Sequence, residues 1–248
     1  MKYKFLNLVE KLDGKYIDIH LDNPPVNALS KSLINELNFA IDDIRYKYSG
    51  LIIRSSKLGF SAGADLKERA KMCENETLTT LKNYKDLFKK IELLPFPTIA
   101  LLDKYALGGG LELSLAADFR FAVKSCIIGF PETSIGIIPG AGGTQRLTKL
   151  IGLSKSKKWI FSAKKFTAVD AYRDNVIDEI FENQEEMCKY ANGFMKEILQ
   201  NCKIALQAAK ISINSSNDSS NEEDVEFREY KKTLESPIRK KILEQYLK

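Results

Sequence analysis

Apolar and polar residues alternate in the segment KYIDIHLD near the start of the chain. In a strand this alternation places Ile17 and Ile19 on one face and Asp18 and His20 on the other. His20 is the single histidine of the sequence. We interpret it as a polar-face strand residue rather than a general base. Acid–base chemistry would then fall to carboxylate, Lys, Tyr or Cys side chains.

Helical and strand patterns then alternate along the first half of the chain. The rigid turn NPPVN precedes an amphipathic helix, SKSLINELNFAIDDIRYKY, for which Ser30 or Ser32 is the predicted N-cap. GLIIRSS reads as a short buried strand, and a polar amphipathic helical stretch runs from about residue 67 to residue 94. PFPTIALLD, after a proline stop, predicts another strand.

The second half begins with a strand-like segment, ADFRFAVKSCIIGFPE, and a glycine loop that feeds one or two helices. Two further helices are predicted in EEMCKYANGFMKEILQN and KIALQAAKISIN, and a last charged helix follows the low-complexity stretch SSNDSSNEED. We expect that stretch to be a mobile loop. Strands that alternate with helices predict an α/β fold with parallel strand pairing.

Composition narrows the class of protein. The 248 residues are 44% hydrophobic and 29% charged, as in an ordinary globular domain, and no apolar run is long enough to span a membrane. The N-terminus lacks a secretory pattern, so we expect a cytoplasmic or mitochondrial-matrix protein. The four cysteines form no C-x-x-C pair or zinc-finger spacing. The net charge is +5, but the basic clusters of the sequence are mixed with acidic residues, and this does not favour nucleic-acid binding.

Three consecutive glycines precede an apolar segment in YALGGGLELSLAADF. GGGLEL lacks the G-x-G-x-x-G spacing, and the later GAGGTQ lacks the ending of a phosphate-binding P-loop. Glycines at a strand-to-helix junction admit a ligand close to the backbone and leave helix N-terminal N–H groups free to bind an anion or a developing oxyanion. The glycines alone are equally consistent with a tight helix start that binds no ligand.

Glu112 is the charged residue inside that apolar segment. On a helix its neighbours one turn away are Gly108, Gly109, Leu115 and Ala116, all small or apolar. A carboxylate buried there without a cation has a raised pKa and becomes a candidate proton carrier. The alternative is a glutamate that only complements the helix dipole.

Two more segments are candidates for chemistry. Glu132, in GFPETSIGIIPG, is a second carboxylate in apolar surroundings, and two such groups can divide acid and base roles. The backbone N–H near Ala64, in FSAGADLKE, is a candidate second oxyanion donor. In the structural alternatives, Glu132 is a turn residue, Ala64 lies in an ordinary loop and Asp65 caps a helix.

Together, FSAGADLKE, PTIALLDKYALGGGLELSLAADFR and FPETSIGIIPGAGGTQRL resemble the motifs of the enoyl-CoA hydratase/isomerase (crotonase) superfamily, in the same order and spacing. The resemblance implies a spiral of ββα units over residues 1–190, which contains the active site, and a C-terminal helical region over residues 191–248 used to form trimers. It also implies a homotrimer or a hexamer built as a dimer of trimers.

Carried over to this sequence, the resemblance makes the N–H groups of Ala64 and Gly109 an oxyanion hole for an acyl-CoA thioester. It makes Glu112 and Glu132 the catalytic glutamates. It implies no metal and no redox cofactor, since coenzyme A is part of the substrate. The residues implied to line the path of coenzyme A and substrate are Val26, Ala62, Ala64, Asp65, Leu66, Lys67 and Gly109.

The implied reaction is addition of water across the 2,3 double bond of a short or branched 2-enoyl-CoA. Within the family the motifs look similar to the methylglutaconyl-CoA hydratases of leucine breakdown. That substrate carries a second carboxylate, for which Lys67, Arg69 and Lys71 are candidate partners unless they form a solvated helix face. The alternatives are a Δ3-Δ2-enoyl-CoA isomerase, or a CoA- or RNA-binding member without turnover.

Overall fold

The computed structural model describes residues 3–216 and 225–244. The strands are β1 Leu6–Lys11, β2 Tyr16–Leu21, β3 Leu51–Ser55, β4 Thr98–Leu102, β5 Tyr105–Leu107, β6 Phe119–Val123, β7 Ile127–Gly129, β8 Lys165–Thr167 and β9 Glu179–Phe181. The helices are α1 Lys31–Ile44, α2 Leu66–Arg69, α3 Glu74–Glu92, α4 Gly109–Ser114, α5 Gly143–Phe161, α6 Ala168–Arg173, α7 Gln184–Ile198, α8 Lys203–Ser215, α9 Val225–Leu234 and α10 Pro237–Leu243. A 3₁₀ helix covers Glu132–Ile135.

The strands form a large sheet in the order β1-β2-β3-β4-β6-β9 and a small sheet in the order β5-β7-β8. All pairs of the large sheet beyond β1–β2 are parallel. The chain places β4 in the large sheet and β5 in the small one before α4, and repeats this with β6, β7 and α5. The predicted α/β spiral of ββα units is therefore confirmed.

The alternation predicted for the first strand segment is confirmed in β2. Ile17 and Ile19 face a core shared with α1, whereas Tyr16 belongs to a second apolar cluster under α7. His20 lies on that second face, with Nε2 at 3.0 Å from an Asp18 carboxylate oxygen and 3.0 Å from Nε of Arg54. Its polar contacts are with Asp18 of the same strand and Arg54 of the neighbouring β3, as expected for a structural residue.

Capping hydrogen bonds between residues close in sequence mark where α1 and α3 begin. Ser30 is the N-cap of α1, and its Oγ accepts a hydrogen bond from Leu33 N at 3.2 Å, as predicted. The helix predicted over residues 67–94 is wrong in its continuity, because the structure has two helices there. Glu76 accepts a hydrogen bond from Cys73 N at 2.9 Å, and this starts α3 afresh after α2 ends.

The C-terminal part is helical, as the resemblance implies. The predicted domain boundary at residue 190 falls inside α7, which packs on the large sheet. Lys210 of α8 donates to Asp118 at 2.8 Å and to the Phe96 carbonyl at 2.9 Å, which ties that helix to the core. Residues 217–224, most of the predicted mobile loop, lie outside the described residues. No helix in the described ranges is long and apolar enough to cross a membrane.

Candidate active site

The triple glycine forms the junction between β5 and α4. Gly108 has φ +52°, and its N–H donates to the Gly129 carbonyl of β7 at 2.9 Å. A Cβ placed on Gly108 would lie 2.7 Å from Oε1 of Glu132. Glycine is required here because the backbone is left-handed and a carboxyl group packs directly against it.

Two backbone N–H groups, those of Ala64 and Gly109, lie side by side at this junction. A Cβ on Gly109 would be 3.5 Å from Ala64 N. The loop of Ala64 is held by a bridge between Ser61 and Ala106 of β5 and by a bond from Leu107 N to the Ser61 carbonyl at 3.0 Å. Neither N–H donates a hydrogen bond to another residue of the described ranges. They form a pair of donors available to a ligand oxygen.

Glu112 lies one turn into α4 and is 3% exposed. Its Oε1 accepts hydrogen bonds from Ala141 N and Gly143 N, both at 2.8 Å. Burial raises the pKa of this carboxyl, and the two backbone N–H bonds oppose the rise. The sequence predicted a buried carboxylate here, and the structure adds the turn that holds one of its oxygens.

Glu132 begins the 3₁₀ helix and is 7% exposed. Its Oε2 is buried and has no hydrogen-bond partner among the described residues. Burial and, to a smaller extent, the negative charge of Glu112 raise the pKa of Glu132 to about 7. The two carboxyl groups therefore interact, and near neutral pH the pair is suited to hold one transferable proton.

The predicted binding residues surround the donor pair. Ala62 N donates to the Val26 carbonyl at 3.1 Å, so the turn at Val26 lies against the loop that carries Ala64. Asp65 caps α2, since its Oδ1 accepts from Lys67 N and Glu68 N at 2.9 and 3.1 Å. The side chains of Leu66 and Lys67 are exposed on α2 beside this loop.

Asn27, which no sequence motif indicated, connects two of these loops. Asn27 is fully buried, and its Nδ2 donates to Ser55 Oγ and to the Gly59 carbonyl, both at 2.9 Å. Its own carbonyl accepts from Ser61 Oγ at 2.6 Å. The only sequence signal was an asparagine at the end of a proline turn. No group of three or more potential metal ligands occurs in the parts of the chain described.

Gly108→Ala is expected to lower the free energy of unfolding by at least about 2 kcal/mol, because the added methyl group meets both backbone strain and the Glu132 carboxyl. Gly193→Ala, in α7, is the matched control. Gly193 has open space around its Cα, so that change is expected to be neutral or slightly stabilising. Urea unfolding measures both variants, and equal stabilities would contradict the geometry described for Gly108.

The family model described as enoyl-CoA hydratase/isomerase matches residues 13–247. An enoyl-CoA isomerase/hydratase of Mycosarcoma maydis is 36% identical, over 95% of this chain and 90% of that protein. A mitochondrial methylglutaconyl-CoA hydratase of Mus musculus is 44% identical over 76% of this chain, but the match spans only 62% of that relative, less than two thirds of its length.

Solved structures agree with the sequence comparison. The 1.8 Å crystal structure of an enoyl-CoA hydratase from Bacillus anthracis superposes with a TM-score of 0.91 at 31% identity, covering 98% of this chain and 96% of that one. An enoyl-CoA hydratase structure from Geobacillus kaustophilus gives 0.93 at 28% identity, covering 100% and 95%. On the family match over nearly its whole length, the chain belongs to the enoyl-CoA hydratase/isomerase family, and its fold is the crotonase fold.

Proposed function

We propose that this protein hydrates the 2,3 double bond of a 2-enoyl-CoA thioester. The observation that carries the proposal is the pair of interacting buried carboxyl groups, Glu112 and Glu132, at the junction that also carries the N–H groups of Ala64 and Gly109. A donor pair stabilises the oxyanion of an enolate, and two carboxyl groups supply the base and the acid.

In the proposed reaction the thioester oxygen accepts hydrogen bonds from Ala64 N and Gly109 N. Glu112 takes a proton from a water molecule, whose oxygen bonds to the β-carbon, and the electron pair of the double bond moves into the enolate. Glu132 then gives its proton to the α-carbon. The sum is addition of one water molecule with no change of redox state, and transfer of the proton left on Glu112 to Glu132, directly or through solvent, returns both carboxyl groups to their starting forms.

The isomerase alternative moves the double bond from the 3 to the 2 position and needs a single base at Glu132. The presence of both carboxyl groups favours hydration over isomerisation and over a CoA- or RNA-binding role without turnover. A panel of 2-enoyl-CoA and 3-enoyl-CoA thioesters tests this directly. Loss of the conjugated absorbance of the 2-enoyl substrates supports hydration, whereas turnover of the 3-enoyl substrates alone would replace the proposal with the isomerase.

The proposed substrate is a branched 2-enoyl-CoA with a terminal carboxylate, such as methylglutaconyl-CoA. The similarity to relatives named methylglutaconyl-CoA hydratase supports this choice. Of the three basic candidates on or after α2, Lys67 and Lys71 are exposed, whereas Arg69 is half-buried. The positive charge of Arg69 opposes the rise in pKa that burial causes at both Glu112 and Tyr84, so the guanidinium group lies close enough to the buried site to act on a charge there. No ion pair of Arg69 occurs among residues 3–216 and 225–244.

Arg69→Met is expected to raise KM for methylglutaconyl-CoA about tenfold or more, and to leave KM for crotonyl-CoA, which lacks the carboxylate, within about twofold. Lys71→Met removes an exposed cation shortly after the same helix and is the control. Steady-state kinetics on the two substrates measures the difference. Equal effects of Arg69→Met on both would remove Arg69 as the partner of the acyl carboxylate.

We further propose that the protein assembles as a trimer or a dimer of trimers and acts in the cytoplasm or the mitochondrial matrix. The C-terminal helices support assembly, because α9 and α10 expose large apolar side chains, including Tyr230, Ile238 and Ile242. The names of several relatives include "mitochondrial", which supports the second compartment. Analytical ultracentrifugation of the full chain decides the assembly, and a monomer at micromolar concentration would overturn that part.

A further inference from the structure

Arg146 of α5 connects the turn behind Glu112 to the end of α3. Its Nη1 donates to the Ala141 carbonyl at 3.0 Å, and its Nη2 forms an ion pair with Glu92 at 2.9 Å. Glu92 is the last residue of α3. Only 12% of the Arg146 side chain is exposed, so this ion pair is weakly screened by solvent.

The Ala141–Gly143 turn binds Arg146 through a carbonyl and the Glu112 carboxylate through its N–H groups. Ala141 accepts from Arg146 through its carbonyl and donates through its N–H to Oε1 of Glu112, to which Gly143 N also donates. Gly142 between them has φ +106°, and a Cβ on it would overlap Nη1 of Arg146. The guanidinium group therefore packs directly over the turn.

The charge of Arg146, like the hydrogen bonds of the turn, favours the ionised form of Glu112. The positive charge of Arg146 lowers the pKa of Glu112 and so opposes the effect of burial. Lys149 lies on the same helix as Arg146, and both residues line a cavity of about 640 Å³. The side chain of Lys149, however, is exposed. A cation at Lys149 is solvated, whereas the cation at Arg146 is next to the backbone that binds Glu112.

We propose that Arg146 is a positioning residue for Glu112: it anchors the Ala141–Gly143 turn to α3 so that the two N–H groups of the turn hold the Glu112 carboxylate ready to take a proton from water. The part of this inference that concerns turnover rests on the proposed hydratase function. The part that concerns the ionisation of Glu112 does not, and the experiment measures both.

Infrared titration follows the protonated carboxyl band above the pH at which ordinary carboxyl groups have ionised, and Glu112→Gln identifies the contribution of Glu112. In Arg146→Met the band of Glu112 is expected to persist to higher pH than in the wild type. In Lys149→Met it is expected to titrate as in the wild type. In Glu92→Gln, which keeps the cation but weakens its anchor on α3, an upward shift smaller than that of Arg146→Met is expected.

Kinetics on a 2-enoyl-CoA gives the second readout. Arg146→Met is expected to lower kcat by about tenfold to a hundredfold with KM within about twofold, and Arg146→Lys to restore part of the loss. A merely structural role would lower the amount of active enzyme without moving the titration of Glu112. If Arg146→Met does not fold, the same comparison is made with Arg146→Lys, for which a smaller shift in the same direction is expected.

The two possible failures are distinguishable. A wild type that hydrates no enoyl thioester refutes the proposed function, and the infrared titration still decides whether Arg146 controls the ionisation of Glu112. A wild type that is active, together with an Arg146→Met variant whose titration and kcat match the Lys149→Met control, overturns the positioning role.

Discussion

Glu112→Gln is expected to lower kcat for hydration of a 2-enoyl-CoA by about a thousandfold, because a neutral amide cannot take the proton of the attacking water. The free energy of unfolding is expected to stay close to that of the wild type. The amide oxygen of glutamine is able to accept the same two hydrogen bonds, from Ala141 N and Gly143 N, that Oε1 of Glu112 accepts. The variant thus removes the base and keeps the interactions that hold the turn.

Glu112→Ala is the contrasting change. It removes the acceptor and leaves two buried N–H groups without a partner, which is expected to cost about 2 kcal/mol or more of stability. Urea unfolding separates the two variants, and the loss of conjugated absorbance measures hydration. Wild-type turnover in Glu112→Gln would eliminate Glu112 as the base and, with it, the proposed division of roles.

The parts of the fold that depend on local chemistry were predictable from sequence. The N-cap at Ser30 and the alternation in β2 are set by residues a few positions apart, and both are as predicted. The break between α2 and α3 was missed, although it is also local. The sequence signal for this break is Glu76, three residues after Cys73, which together form a capping pair. The amphipathic pattern continues on both sides of this pair and therefore predicted one helix.

The site was predictable in its residues but not in its contacts. A carboxylate in an apolar segment marked Glu112, since few structural reasons place a charge there. Its partners, Ala141 N and Gly143 N, are about thirty residues away and donate through the backbone, so no side chain marks them in the sequence. Likewise, the direction in which Arg69 reaches depends on the four-residue helix α2, whose rotation the sequence does not determine.

Glu132→Gln is expected to reduce hydration by about two to three orders of magnitude, because the amide has no acidic proton to give to the α-carbon. Its effect on stability has the opposite sign from that of most substitutions at a buried position. Oε2 of Glu132 is buried without a hydrogen-bond partner among the described residues, so the ionised form is poorly stabilised there. Glutamine removes that charge.

The sign follows from the raised pKa of Glu132, which is about 7 in the folded protein against a usual 4.5. The folded state retains this proton while the unfolded state loses it, so the contribution to stability is complete below pH 4.5 and disappears as the pH rises through 7. Glu132→Gln lacks this dependence. Relative to the wild type, it is expected to gain on the order of 2 kcal/mol between pH 4 and pH 8, after allowance for solvent screening.

Proton exchange at the α-carbon separates the roles of the two carboxyl groups. With a saturated acyl-CoA in D₂O there is no double bond to hydrate, so exchange requires a base at the α-carbon and the donor pair alone. Exchange is expected to be lost in Glu132→Gln and largely retained in Glu112→Gln, because only Glu132 is assigned to that carbon. The reverse result would exchange the two roles while leaving the hydratase proposal in place, and loss in neither variant would show that another group carries the α-proton.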